Sequence, residues 1–261
     1  MPSERRTQKI AVTGATGRLG THLVEVLKDR GHDVVPIARS KGVDVITGEG
    51  LDDALSGVET IIDAATGPSP DQQEATAFFT ASAQNLQRAG AAAGAKRIVV
   101  VSIIGIDKFH GGYNAAKMAQ EQALLRGPLP VRIVRAAQFH EFVEPLIGWT
   151  IQDGVAHVPE MQTQLVAARA VAEAVADAAE ESEIENGRIT EVAGPQAERL
   201  ADVAALLLAS RGDSVEVREG SGAPLAQPGD PDAVAYAEGA ALPNPGATLA
   251  GPRFEDWLRA A

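Results

Sequence analysis

Three groups of residues in this chain have the types and spacing to do chemistry. The first is Gly14-Ala15-Thr16-Gly17-Arg18-Leu19-Gly20, a G-x-x-G-x-x-G run directly after the apolar segment Lys9-Ile10-Ala11-Val12-Thr13. Each glycine has a physical task there. The first lets the chain turn sharply, the middle one lets backbone approach a pyrophosphate, and the last lets helix and strand pack closely. A helix that opens on such a loop offers unspent N–H groups and positive dipole to phosphate. The spacing predicts a dinucleotide site; the alternative is a glycine turn that serves only packing.

The second group is Ala38-Arg39-Ser40-Lys41, at the end of the second apolar run. An acidic residue at that place accepts hydrogen bonds from an NAD ribose, whereas an arginine pairs with a 2′-phosphate and stacks on adenine. Ser40 and Lys41 reinforce a phosphate pocket, and Arg18 can reach it from the loop. The expected cofactor is therefore NADP(H), with NAD(H) as the alternative. A solvated basic turn is the bland reading of the same residues.

The third group is Ser102, Tyr113 and Lys117, the last two within Tyr113-Asn114-Ala115-Ala116-Lys117. Residues four apart share a helix face. A lysine there can lower a tyrosine pKa, since a nearby cation favours phenolate, and the tyrosine can then act as a general acid or base. Ser102, ending a strand, would hydrogen-bond a substrate oxygen. In the other reading Lys117 only holds a ribose and Tyr113 only packs. Tyr113 follows Ser102 by eleven positions, a short loop for this arrangement.

Those groups need a scaffold, and the hydrophobic pattern supplies one. Short apolar runs at Lys9–Thr13, Val34–Ala38, Thr60–Ala64, Arg97–Ser102 and Val131–Arg135 read as buried parallel strands, with Val43–Ile46 a further short strand. Helical patterns fall between them: after the glycine loop to Gly31, at Asp52–Leu55, over 71–94 and over about 114–126. Strands alternating with helices predict an α/β doubly wound parallel sheet, a Rossmann fold, with right-handed crossovers. The later chain reads as a helix at 166–181, a strand at Ile189–Val192, a helix at 198–211, a short strand at Val215–Val217, a Gly-, Pro- and Ala-rich loop over 220–232 and a closing helix near Phe254–Leu258. The expected organisation is a single domain over 1–261, its core at about 9–145 and a small C-terminal substrate cap at about 146–261.

Composition narrows the function. The formal net charge is −12 over 261 residues, which speaks against nucleic acid as a partner. An anionic cofactor must then be met by local backbone N–H groups and a few cations. There are no cysteines, so disulfides, thiolate catalysis and cysteine zinc sites are excluded. The histidines show no H-x-x-x-H spacing, and the G-x-S-x-G elbow is absent. The polar start and the lack of a long apolar run predict a cytoplasmic chain without a membrane partner.

Val12-Thr13-Gly14-Ala15-Thr16-Gly17-Arg18-Leu19-Gly20 resembles the atypical and extended branches of the short-chain dehydrogenase/reductase superfamily. Thr60–Ala65, Gly94–Ser102, Val131–Phe139 and the tail Phe254-Glu255-Asp256-Trp257-Leu258 are similar to its NmrA-like atypical members. That family includes NAD(P)H-dependent quinone and isoflavone reductases, tailoring enzymes for aromatic natural products, and redox sensors that bind dinucleotide without turnover. Many members carry Arg-Pro-Gly after the sixth strand, where this chain has Arg135-Ala136-Ala137-Gln138, and an acidic residue near the segment that here reads Thr47-Gly48-Glu49-Gly50. The resemblance implies cofactor contacts at Gly14, Thr16, Gly17, Arg18, Leu19, Gly20, Arg39, Ser40, Lys41, Ala64, Ala65, Thr66, Ser102, Lys117, Ala136, Ala137 and Gln138.

Past the last core strand, Phe139-His140-Glu141-Phe142 would face the nicotinamide end. Phe139 and Phe142 could sandwich a flat substrate, and His140 and Glu141 could exchange protons with it. Glu141 facing solvent is the simpler expectation; His140 stays open. Ile103 and Trp149 complete the expected pocket, and His110, His157 and Met161 are secondary candidates. The resulting expectation is an NAD(P)H-dependent oxidoreductase acting on a flat carbonyl, quinone or aromatic natural product, its partner a small molecule and a homodimer within reach. The rival readings are a redox sensor without turnover, and an oxygenase or other tailoring enzyme of aromatic polyketides.

Overall fold

A computed structural model describes residues 6–183, 185–220 and 231–260. In chain order the strands and helices are β1 Lys9–Thr13, α1 Arg18–Asp29, β2 Asp33–Ile37, α2 Leu51–Ala54, β3 Thr60–Asp63, α3 Gln72–Ala93, β4 Arg97–Ile103, α4 Gly112–Leu125 and β5 Val131–Ala136. Next come α5 Val143–Thr150, β6 Ile151–Gln152, β7 Val155–Val158, β8 Gln162–Thr163, α6 Ala168–Glu180, β9 Ile189–Ala193, β10 Glu198–Arg199, α7 Leu200–Arg211, β11 Glu216–Glu219, α8 Pro231–Ala237, β12 Thr248–Leu249 and α9 Phe254–Ala260. Seven strands form one sheet in the order β12-β9-β5-β4-β3-β1-β2. The pairings of β1 with β2 and β3, of β3 with β4 and of β9 with β12 are all parallel. Strand order reverses between β1 and β3. In such sheets a ligand crevice opens at that reversal, outside the carboxyl ends of the strands.

The chain folds as two compact units. The first comprises Met1–Ser102, Gly112–Arg135 and Val171–Thr190. Its strands are apolar on both faces, as strands covered by helices must be: Ile10, Ala11, Val12, Ile61, Ile62, Ile98 and Val99 are fully buried. α1 buries Leu19, Leu23, Val26 and Leu27 at helical spacing. α3 starts where the Asp71 carboxylate accepts from the N–H groups of Gln73 and Glu74, and it stops at Gly94, whose φ is +78°. Gly90 lets it lie close to the sheet, because a Cβ there would press on Ile61 and Leu129.

One expected strand is not there. Val43–Ile46 forms a turn instead. The Asp44 carboxylate accepts from the N–H groups of Ile46 (2.7 Å) and Thr47 (3.3 Å), and Gly42, Gly48 and Gly50 take positive φ. Local bonds of this kind compete with a ladder and win, while Val43 and Val45 still pack against the core.

The second unit comprises Ile103–Gly111, Ala136–Ala170 and Glu191–Ala261. α5, the β6–β7 hairpin and α7 surround an apolar cluster of Val143, Ile147, Ala156, Val158, Leu165, Val203, Leu207 and Phe254. β6 and β7 are antiparallel and joined by Asp153-Gly154, with φ of +49° and +79°. That is the Asp-Gly signature of a two-residue hairpin. β11 adds to β7 in parallel. The loop expected over 220–232 falls mostly on 221–230, outside the described residues. Among the described residues no helix is long and apolar enough to cross a membrane.

Candidate active site

In the first unit the glycine loop lies at the strand-order reversal. Gly14 leaves β1 with φ +64°, and a Cβ on it would sit 2.6 Å from the Ala64 carbonyl oxygen. A Cβ on Gly20 would collide with the Gly14 carbonyl. Both positions exclude a side chain by contact: Gly14 so that the turn packs on Ala64 and Ala65, and Gly20 so that α1 packs on the turn. Gly17 caps α1 with no side-chain hydrogen bond, and the first turn holds no acidic residue. The positive end of α1 is left for an anion. Thr16, Gly17 and Arg18 are exposed; Leu19 and Gly20 are buried under the loop. Beside it, Ala64 is half-buried, Ala65 buried and Thr66 exposed after β3.

Arg39, Ser40 and Lys41 form a short 3-10 turn after β2, all exposed. Among the described residues neither Arg18, Arg39 nor Lys41 has an ion-pair partner. In a chain of charge −12, three cations left without carboxylates are the local counter-charge that a phosphorylated ligand needs.

Ser102 stands on β4, near its carboxyl end. It is 3% exposed, and its hydroxyl has no hydrogen-bond partner. Such a group costs stability unless a ligand or water satisfies it. The short loop that follows makes a 3-10 turn at Ile106–Lys108, and α4 begins at Gly112, so Tyr113 lies in the first turn of that helix. Its ring meets Phe79 edge-on at 5.6 Å.

The expected tuning of Tyr113 by Lys117 is not what the structure shows. Desolvation pushes the Tyr113 phenol up to about 12. The Lys117 ammonium donates to the Val101 carbonyl (2.7 Å) and to Gln120 Oε1, and lies 4.7 Å from the centre of the Phe79 ring. Burial lowers its pKa to about 8, against the pull of Asp63 and Glu121. Gln120 in turn donates to Asp63 Oδ2 (2.8 Å), and Thr13 donates to Asp63 Oδ1 (2.6 Å). The sequence reading missed Thr13, Asp63 and Gln120. The visible signals were a carboxylate ending an apolar strand and a glutamine three residues after the lysine.

The second unit holds the remaining expected residues. Ile103 is half-buried, Ala136 and Ala137 are buried, and Gln138 is partly exposed. The Ala137 N–H donates to Val192 (2.9 Å) and the Gln138 carbonyl accepts from Val166 (3.0 Å). Phe139 and Phe142 line a cavity of about 20 Å³ with Gln138, Val143, Leu146, Met161, Thr163, Leu165 and Leu200. Trp149 is 62% exposed and stands edge-on to Phe142.

His140 does not belong to that cavity. It is buried against both Phe254 and Trp257, with Nε2 at 3.2 Å from the Pro252 carbonyl, and burial lowers its pKa. It packs against α9, and its Nδ1 is buried with no hydrogen-bond partner. Glu141 accepts from the Ala168 N–H and caps α6. His110 lies in a loop that Asp232 holds through the N–H groups of residues 110 and 111. Among the described residues no cluster of His, Asp and Glu could hold a metal ion.

The model of the NAD(P)H-binding family matches residues 14–182, more than half the chain. The chain belongs to the NAD(P)H-binding family. Its match begins at Gly14, the first residue of the cradle. A 4-hydroxy-tetrahydrodipicolinate reductase of Natronomonas pharaonis is 28% identical over 160 residues, 60% of this chain and 54% of that protein, so the chain spans about half its curated relative. Among solved structures, MoeE5 in complex with UDP-glucose and NAD superposes with a TM-score of 0.72 at 19% identity, covering 96% of both chains. The dTDP-4-dehydrorhamnose reductase of Bacillus anthracis str. Ames in complex with NADP gives 0.70 at 18% identity and 98% of both chains. Likeness at that identity shows the fold.

Proposed function

We propose that the chain is an NADPH-dependent oxidoreductase acting on a flat carbonyl or quinone-like acceptor. The observation that carries this is the cradle itself: Gly14 and Gly20 at positions with no room for a side chain, in front of an uncapped helix end. NADPH, when bound, supplies a hydride. The loop N–H groups and the end of α1 hold its phosphates, and Arg39, Ser40 and Lys41 take the 2′-phosphate. Ala64, Ala65, Thr66, Ala136, Ala137 and Gln138 are assigned to the remaining contacts. The unpartnered Ser102 hydroxyl orients the acceptor oxygen. Tyr113, protonated at neutral pH, serves as a hydrogen-bond donor to it. Phe139, Phe142 and Trp149 supply apolar surface for a flat substrate.

A second reading has a specific support. Lys117 is spent on Val101 and Gln120, which leaves the usual acid untuned and favours a sensor that binds dinucleotide without turnover. A paired fluorescence titration with NADPH and NADH, followed by quinones and aromatic ketones watched at the nicotinamide absorbance, separates the two. Turnover supports the oxidoreductase. Tight binding without turnover supports the sensor, and no binding overturns both.

A further inference from the structure

The Y-x-x-x-K pair is present in the sequence but uncoupled in the structure, and one side chain accounts for it. We propose that Gln120 is a positioning residue: by bridging the Lys117 ammonium to Asp63, it keeps the lysine on the strand ends and away from the Tyr113 phenol. For its catalytic meaning this rests on the reading above, but its test needs neither cofactor nor substrate.

The geometry accounts for the donors of the ammonium. An ammonium has three. One goes to the Val101 carbonyl at 2.7 Å and one to Gln120 Oε1. The remaining side of the cation faces the π-cloud of Phe79 at 4.7 Å. Among the described residues no hydrogen bond reaches the Tyr113 hydroxyl. Tyr113, Lys117 and Gln120 recur at helical spacing along one face of α4, so the lysine has a choice between its neighbours on either side.

Gln120 decides that choice because its amide has two ends. The oxygen accepts from Lys117, and the nitrogen donates to Asp63 Oδ2 at 2.8 Å. Asp63 is fixed in turn by the Thr13 hydroxyl at 2.6 Å and the Ala65 N–H at 3.3 Å. Thr13, Asp63, Gln120 and Lys117 are all buried, so each lost bond would leave an expensive orphan. The amide dipole runs from the carboxylate to the ammonium and is favourable at both ends. The other charges near the cation are Glu121 on α4 and, through it, Arg135 of β5, which grips the Glu121 carboxylate at 2.9 and 3.1 Å. That fork keeps Glu121 occupied and leaves Asp63 as the anion at the far end of the bridge.

Only Tyr113 and Tyr236 are present in the chain, so Tyr236→Phe makes phenolate absorbance a report on Tyr113 alone. In that parent, folding monitored by circular dichroism, no phenolate is expected between pH 7 and 10. Adding Gln120→Met removes both ends of the bridge at similar volume and frees Lys117 for Tyr113. Phenolate should then appear between about pH 9 and 10, a fall of about two units from about 12, as the ammonium and the phenolate, once paired, each hold the other's charged form. Adding Lys117→Met on top should abolish that signal. Asp63→Asn, which removes the anchoring charge at nearly constant shape, should give a smaller signal of the same kind and serves if Gln120→Met does not fold. Phenolate in the folded parent below pH 10 would overturn the proposal without any variant of the bridge. So would folded Gln120→Met or Asp63→Asn variants that stay silent.

Discussion

At the residue scale, the unpartnered hydroxyl of Ser102 makes stability and function pull apart. A buried, unsatisfied polar group costs about 1–3 kcal/mol. Ser102→Ala removes that cost, so its denaturation midpoint should equal or exceed the parent's, by up to about 1 kcal/mol. Its turnover with any acceptor that the screen finds should fall at least tenfold. A drop in both would mean that the hydroxyl is satisfied in the folded chain. Arg39 carries the opposite expectation, a pure effect on ligand choice. It is exposed and unpaired, so Arg39→Asp should leave stability within about 0.5 kcal/mol. It should weaken NADPH by roughly 10- to 100-fold, the worth of a lost charge-assisted bond, and NADH far less. Equal weakening in paired titrations would sink the 2′-phosphate assignment. Lys117 shows the limit of reading residues singly: its type is chemically able, but its ammonium is held by Val101 and Gln120.

At the scale of elements, the ends of β1, β3 and β4 are tied to α4 through Thr13, Asp63, Gln120 and Lys117. The tie has a pH signature. The folded pKa of Lys117, about 8, lies below the 10.5 of a free lysine. Between these values the unfolded chain holds the proton and the folded chain does not, so stability rises with pH across that window. The full rise is about 3 kcal/mol at 1.36 kcal/mol per unit. Relative to Lys117→Met, the parent should therefore gain stability between pH 8 and 10.5, measured by urea unfolding at each pH. A constant difference would count against the buried, desolvated ammonium. The β6–β7 hairpin makes a simpler case. Gly154 has φ +79°, so Gly154→Ala should cost about 1–2 kcal/mol by strain in the left-handed region. Asp153→Gly, at φ +49°, should cost little. Thermal melts of both variants check the pair.

At the scale of the whole molecule, a net charge of −12 repels an anionic cofactor at long range, while in the proposed reading Arg18, Arg39 and Lys41 attract it locally. Salt screens both. NADPH affinity should therefore change less than about fivefold between 50 and 300 mM salt, far from the steep loss of a protein that meets phosphates with a basic face. A tenfold or larger loss would show that local cations dominate over the field of the chain.

The fold and the glycine turn before α1 were legible along the chain because both are local. Runs of apolar residues with glycine stops mark buried parallel strands, and Gly14 and Gly20 are glycines for reasons of contact that a motif encodes. Asp153-Gly154 was equally local, and its hairpin signal was there to be read. Val43–Ile46 shows where short range fails: its apolar residues suit a strand, but the Asp44 turn takes the backbone bonds first. The chemistry was the least legible part. Tyr113 and Lys117 stand four apart in any helix, and nothing in that spacing says whether the ammonium turns to the phenol or to Gln120. That depends on Asp63 and Val101, which only the parallel pairing of β3 with β4 and the docking of α4 bring to it. The sequence by itself determined the sheet, the glycine turn at the start of α1 and the exposed basic residues after β2. Tertiary packing decided the state of the titratable groups, because desolvation and hydrogen-bond partners come from residues tens of positions away.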